Sequence, residues 1–264
     1  TLSAPHGRLE RSKDRSHLER AQEDMESWES VLQAAETDDD TPLRPQRVAA
    51  EIGAVAPSDS IFLADTGSVT VWAARHLRIS RGGRFSLSSS LASMAYAMPA
   101  AIGAQLAFPD RSVVALAGDG GLSMLLGDFI TAVTHELPIT VVVFNNSKLG
   151  LIQMEQEAEG NPEYATALET PAFGEAARVL GGEGWRVERP EDLRPALENA
   201  IRSRRPSIVD VVVNPNEITM PPSIDPKFAV GYTVAKLKEM AGLGQRDAGI
   251  DPLRDLIPVV TDRI

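Results

Sequence analysis

Two places in the chain set an acid or a pair of amides at the end of an apolar run, with glycine close by. Ser112 to Gly121, SVVALAGDGG, ends in Gly118-Asp119-Gly120-Gly121; Val141 to Gly150, VVVFNNSKLG, runs from apolar residues straight into Asn145 and Asn146. Asp119 offers a carboxylate oxygen, Asn146 an amide oxygen, and loop carbonyls stand beside both. Few hard oxygen ligands with one formal charge suit Mg²⁺ or Ca²⁺ rather than zinc, and Mg²⁺ completes its octahedron with phosphate and water. Gly118, Gly120 and Gly121 let backbone approach a phosphate closely, and the N-terminus of a following helix presents free N–H groups to it. These residues therefore point to a metal-bridged diphosphate at a helix N-terminus, with Asn146 placed for the metal and Asn145 to fix the loop.

The elements that must hold them are legible in the periodicity. Between Gly120 and Asn145 lie 24 residues, 121–144, which suits one turn, one helix and one strand. A crossover of that kind brings both strand ends to one rim, where ligands of open parallel sheets bind. Strand-length apolar runs fall at 60–64, 84–87, 112–117, 139–144, 184–187 and 207–213. Helical patterns fall at 45–55, 69–77, 93–108, 122–135, 149–157, 171–180, 191–202 and 227–241. Strands of continuous Val, Ile and Leu are buried on both faces, and their alternation with helices implies right-handed crossovers. The fold class is α/β, a doubly wound parallel sheet of about six strands with helices on both faces, occupying residues 43–214.

Residues 1–42 have another texture, dense in both charges, with a thin stripe of Leu18, Met25, Trp28 and Leu32 at helical spacing. They read as one exposed helix or a partly ordered linker, ended by Asp38-Asp39-Asp40 and Pro42. Residues 215–264 read as a proline-rich arm and one helix, with a tail at 251–264 that either packs on a neighbouring subunit or frays.

Composition removes several function classes. A net charge of −11 argues against nucleic acid or an anionic membrane as a general partner. The absence of cysteine excludes disulfides, thiolate metal sites and a cysteine nucleophile. No apolar run approaches the roughly 18 residues of a membrane span, and no signal peptide is recognisable. The chain starts with threonine, which suggests a processed product or a fragment. His6, His17, His76 and His135 are scattered and read as surface or capping residues, not a catalytic set. A nicotinamide fingerprint would need glycine where Ser123 stands, and the P-loop lysine pattern is missing.

Gly118-Asp119-Gly120, 24 residues, then Asn145-Asn146 resembles the thiamine diphosphate motif. The stretches DTGSVTVWAARHLRI, SMAYAMPAAIGAQLAFPDRSVVALAGDGGLSMLLGDF and PITVVVFNNSKLGLIQMEQE extend the likeness over about residues 20–240. They resemble the last domain of the pyruvate oxidase and acetolactate synthase family, most closely its pyruvate:quinone oxidase branch. The resemblance implies a cofactor pair, thiamine diphosphate and Mg²⁺. Asp119, the Asn146 side chain and the Lys148 carbonyl would ligate the metal. Gly67, Ser68, Gly120, Gly121, Leu149 and Gly150 would contact the diphosphate, with Gly118 at the turn. Met94 would bend the cofactor, or else simply fill core; the Ala92 carbonyl, with Ser93 beside it, would accept the pyrimidine amino group. Ile152 and Glu155 match positions near the reacting carbon and the substrate, although Glu155 equally suits a solvent-facing helix position. Glycine is usual in the family where this chain has Ala92 and Ala95, and histidine where it has Leu91.

The resemblance further implies a complete subunit of three domains, of which this chain is the last. The glutamate that activates the cofactor would lie on the pyrimidine-binding N-terminal domain of a neighbouring subunit, so no catalytic residue is expected here. Any FAD would be held mainly by a middle domain. The expected assembly is a homodimer or homotetramer, cytoplasmic or peripheral at a membrane, acting on a 2-oxo acid such as pyruvate. An acetolactate synthase-like carboligase and a truncated, non-catalytic association module are the alternatives.

Overall fold

The four residues of β1, Ile61–Ala64, are all buried, which is why so short a run holds its place in the sheet. The computed structural model describes residues 14–217, 219 and 226–242; the tail at 251–264, most of the proline-rich arm and His6 lie outside them. In chain order follow β2 (Arg84–Leu87), β3 (Val113–Gly118), β4 (Ile139–Asn145), β5 (Glu183–Val187) and β6 (Ser207–Val212). All pairings are parallel, in the order β2-β1-β3-β4-β6-β5. The sheet is thus the doubly wound, six-stranded one that the pattern predicts.

The helices are α1 (Ser16–Glu36), α2 (Pro45–Val55), α3 (Ser68–His76), α4 (Ala97–Ala107), α5 (Asp119–Leu125), α6 (Phe129–Thr134), α7 (Gly150–Ala158), α8 (Phe173–Val179), α9 (Pro190–Arg202) and α10 (Pro226–Met240). Two cores form, one on each face of the sheet. Val114 and Leu116 of β3 meet α2, α3 and α9 through Ile52, Trp72 and Leu197. Val113, Ala115 and Ala117 of the same strand meet α4, α5, α6 and α8 through Met98, Leu122, Phe129 and Phe173. Side chains alternate across a strand, so a strand covered on both sides must be apolar throughout. Each of these large side chains contributes about 1.5–3 kcal/mol by leaving water.

Two helices differ from the sequence expectation. The one expected over 93–108 begins only at Ala97, because Ala92 (φ 49°) and Ala95 (φ 63°) sit in the left-handed region and make 88–96 a turn. The one expected over 122–135 starts earlier, at Asp119, and is interrupted by a 3₁₀ turn at Leu126–Asp128 that contains Gly127, a poor helix residue.

Helix α1 buries none of its residues. Its last residue docks it: Glu36 pairs with His76 Nδ1 at 3.0 Å and with Arg78 at 3.3 Å. His76 is therefore a buried partner at the end of α3 rather than a surface residue. No helix among the described residues is long and apolar enough to cross a membrane.

Candidate functional site

The chain leaves β1 toward β2 and leaves its neighbour β3 toward β4, in opposite directions, so the strand order reverses between β1 and β3. This is a topological switch point, the place where open α/β sheets bind ligands beyond the strand ends. Asp65, Gly67 and Ser68 follow β1; Asp119, Gly120 and Gly121 follow Gly118 at the end of β3; Asn146 to Gly150 follow β4.

Asp119 is 2% exposed. Its Oδ1 accepts the Gly120 amide at 3.0 Å, while its Oδ2 is buried and has no partner. Desolvation pushes its carboxyl up to about 6, against backbone N–H groups of Gly120 and Ser147 that act the other way. An orphaned buried carboxylate oxygen costs free energy until a cation or proton reaches it. A hard divalent ion would satisfy that oxygen. Among the described residues no three His, Cys, Asp or Glu side chains cluster as a metal cage, so such an ion would draw further oxygens from amide, carbonyl, ligand and water.

Asn145 and Asn146 divide their work. Asn145 is buried; its Nδ2 donates to Asp210 Oδ1 at 2.9 Å, and Asp210 is also held by Arg186 at 2.9 Å and the Phe173 amide at 3.2 Å. Asn145 thus anchors the loop to β6. The Asn146 Oδ1 accepts the Lys148 amide at 3.1 Å, which folds the loop back on itself over Ser147 (φ 54°). Residues 166–168 clamp the loop from outside: Leu149 N–H donates to the Thr166 carbonyl at 2.9 Å and Leu168 N–H to the Ser147 carbonyl at 2.8 Å.

The glycines show what is gathered around them. A Cβ on Gly150 would sit 3.1 Å from Asn146 Nδ2 and 3.7 Å from Ser68 Oγ, so these three meet. A Cβ on Gly120 would touch Leu168, Leu149 and Met94 within 3.5 Å, so these also meet. Gly67 has open space around it, but its φ of 148° with ψ −167° is a conformation that in practice only glycine adopts. Ser68, Asn146 and Gly150 share a cleft of about 500 Å³, counting the part open to solvent, with Trp72 in its wall. Leu91, Ala92, Ser93 and Met94 are exposed on the turn before α4, and Ile152 and Glu155 on the outer side of α7.

Asp65 was not singled out from the sequence. It is buried, its Oδ1 accepts the Ala97 amide at 2.7 Å, and the amides of Ala95 and Tyr96 also reach its carboxylate. Thr70 Oγ1 donates to its backbone carbonyl. Asp65 therefore holds the turn that carries Ala92 and Met94. Desolvation raises its carboxyl to about 6. The signal available was its place: the first residue beyond an apolar strand, two before a glycine. Leu168 was missed as well, and no spacing could have found it.

Residues 65–211 match the family described as thiamine pyrophosphate enzyme, C-terminal TPP binding domain. The chain belongs to this family. The chain is 40% identical over 230 residues to a putative thiamine pyrophosphate-containing protein, YdaP, of Bacillus subtilis, covering 87% of this chain and 40% of that one. It is 32% identical to a pyruvate oxidase of Lactiplantibacillus plantarum, over 72% of this chain and 32% of that one. It is 36% identical to an acetolactate synthase large subunit of Parasynechococcus marenigrum, over 67% of this chain and 29% of that one. A thiamine diphosphate-dependent 4-hydroxybenzoylformate decarboxylase of Rhodococcus jostii has the same fold, with a TM-score of 0.62 and 25% identity over 67% of this chain and 34% of that one. The chain thus spans two fifths or less of the length of these relatives.

Proposed function

We propose that this TPP-binding domain grips thiamine diphosphate through Mg²⁺ as part of an oxidoreductase that decarboxylates a 2-oxo acid, pyruvate first among them. The observation that carries the reading is the orphaned Oδ2 of Asp119 at the switch point of the sheet. Asp119, Asn146 and the Lys148 carbonyl would hold the metal. Ser68, Gly120, Gly121, Leu149 and Gly150 would line the diphosphate, close to the open N-terminal N–H groups of α3 and α7. Met94 would support the bend of the cofactor beside Gly120, and the Ala92 carbonyl would accept the pyrimidine amino group.

When bound, thiamine diphosphate supplies a carbon nucleophile for a ketone and an electron sink for the loss of CO₂. This chain contributes grip and orientation. Asp119 brings one negative charge to neutralise a divalent ion; the loop 146–150 fixes its second side; the exposed apolar Leu91, Met94 and Ile152 leave a rim for a second domain to cover and so exclude water. That cover would be the pyrimidine-binding N-terminal domain of a neighbouring subunit in a homodimer or homotetramer. It would bring the activating glutamate, and a middle domain would bring any FAD. On its own the chain would not turn over. A cytoplasmic setting follows from the same reading.

The pyruvate oxidase relative supports the oxidative reading. The acetolactate synthase relative supports a carboligase instead, and the acceptor separates them. With the pyrimidine-binding and middle domains and FAD supplied, the account expects CO₂ release from pyruvate that needs Mg²⁺, stops in Asp119→Ala and is coupled to reduction of a quinone. Acetolactate as the main product would move the assignment to the carboligase. No release from any 2-oxo acid would overturn it.

A further inference from the structure

Behind the metal loop runs a continuous chain of buried charges. Lys148 Nζ pairs with Glu163 Oε2 at 3.0 Å, both side chains 4% exposed. Glu163 Oε1 accepts Thr166 Oγ1 at 2.6 Å, and Thr166 is the residue whose carbonyl holds the Leu149 amide. The Glu163 amide donates to Glu239 Oε1 at 2.9 Å on α10. Lys236, one turn earlier on α10, bonds Glu239 at 3.1 Å and Glu157 at 2.9 Å, and Glu157 accepts Gln153 at 2.9 Å on α7. One helix thereby grips both the metal loop and the first helix beyond it.

The packing repeats the connection. A Cβ on Gly231 of α10 would lie 1.8 Å from the Ala158 carbonyl, so α10 seats directly on the end of α7. Lys238 Nζ donates to the Gly160 carbonyl at 2.7 Å, closing the turn after α7. Ile152 and Glu155 stand on the opposite, exposed side of α7 from Gln153 and Glu157. The tilt of α7 therefore sets where they point.

Three carboxylates and two ammonium groups are withdrawn from water here. Buried ion pairs rarely repay their desolvation as stability, while breaking one partner leaves an uncompensated charge. A chain of them fixes geometry more than it adds stability. We propose that α10 is a brace for the cofactor site, and that Glu163 and Lys236 are positioning residues that hold the loop 146–150 and α7 in their binding arrangement. The cofactor part of this rests on the thiamine diphosphate reading; the brace itself does not.

The test uses the 264-residue chain with Glu163→Gln, Lys236→Met, their double variant, and Val209→Ala as a control that loosens the core of β6. Amide exchange without cofactor reads the brace. Each charge variant should exchange at residues 147–153 roughly tenfold faster while residues 113–117 keep their protection, and the double variant should add little to the worse single one. Titration with thiamine diphosphate and Mg²⁺ reads the consequence. Half-saturation should rise roughly tenfold in the charge variants and stay put in Val209→Ala at equal loss of Tm. Exchange that accelerates everywhere alike, or not at all, overturns the brace. Unchanged half-saturation with accelerated exchange overturns the positioning role. If the parent chain itself does not bind thiamine diphosphate, the cofactor reading fails for the isolated chain and the exchange result alone decides the brace.

Discussion

Asp65 and Gly121 meet where a methyl group has no room: a Cβ on Gly121 would lie 2.2 Å from Asp65 Oδ2. That contact joins the first turn of α5 to the residue that holds the turn before α4. The two strand ends of the switch point are thus locked to each other, and the glycine after Gly120 serves packing as much as phosphate approach. Gly121→Ala should cost about 1–3 kcal/mol through overpacking and loosen the turn at 92–97. Gly103→Ala, on the exposed side of α4 with nothing within 4 Å, should instead gain about 0.5–1 kcal/mol. Urea unfolding of the two variants side by side checks both signs.

Ala92 and Ala95 carry positive φ, which costs an alanine roughly 1 kcal/mol that glycine avoids. Ala92 is exposed, so its variant disturbs no packing. Ala92→Gly is expected to raise the Tm, by the equivalent of up to about 1 kcal/mol after the entropy that glycine adds to the unfolded chain. A lower Tm would mean that the turn relaxes out of the left-handed region in solution.

Burial raises the Asp65 carboxyl to about 6 from an ordinary 3.8. The folded state then binds this proton more tightly than the unfolded chain does. Its stabilising contribution is complete below about pH 3.8, and is lost as the pH rises through about 6. Against Asp65→Asn, which does not titrate, the parent should gain stability as the pH falls from 7 to 4. At about 1.4 kcal/mol for each pH unit separating the two values, the gain approaches about 3 kcal/mol. Denaturant melts of both proteins across that range measure it; a flat difference would contradict it.

Glu36 is the docking point of α1. In Glu36→Ala, buried His76 loses its partner, and the domain should lose about 1–3 kcal/mol while α1 becomes a ready protease substrate. Mass-mapped limited proteolysis should then show cuts at 16–36 well before any in the sheet.

The sheet was legible because a strand covered on both faces must be apolar at nearly every position, and 113–117 and 141–144 are wholly so. That the ends of β3 and β4 lie side by side, with Asp119 and Asn146 just beyond them, was legible because one crossover fills the 24 residues between Gly120 and Asn145. The turn at 88–96 was not. Alanine favours helix, so the sequence reads as helix from 93; the left-handed Ala92 and Ala95 are held by Asp65, some thirty residues earlier. Local preference lost to one tertiary hydrogen-bond acceptor. The buried charges at Lys148, Glu163, Glu157 and Lys236 were illegible for a similar reason. Each reads alone as a solvated residue, and Lys236 finds Glu157 only across 79 positions. His76 was misread in the same way, since its partner Glu36 lies 40 residues away.

The central claim is that Asp119 holds a divalent cation that ties thiamine diphosphate to this domain. Its most direct test is fluorescence titration of the chain with thiamine diphosphate, with Trp72 in the cleft wall as reporter, with Mg²⁺ and again in EDTA, for the parent and for a folded Asp119→Ala variant. The account predicts saturable binding by the parent in Mg²⁺ that disappears both in EDTA and in the variant. Binding of equal strength in all four conditions would contradict it.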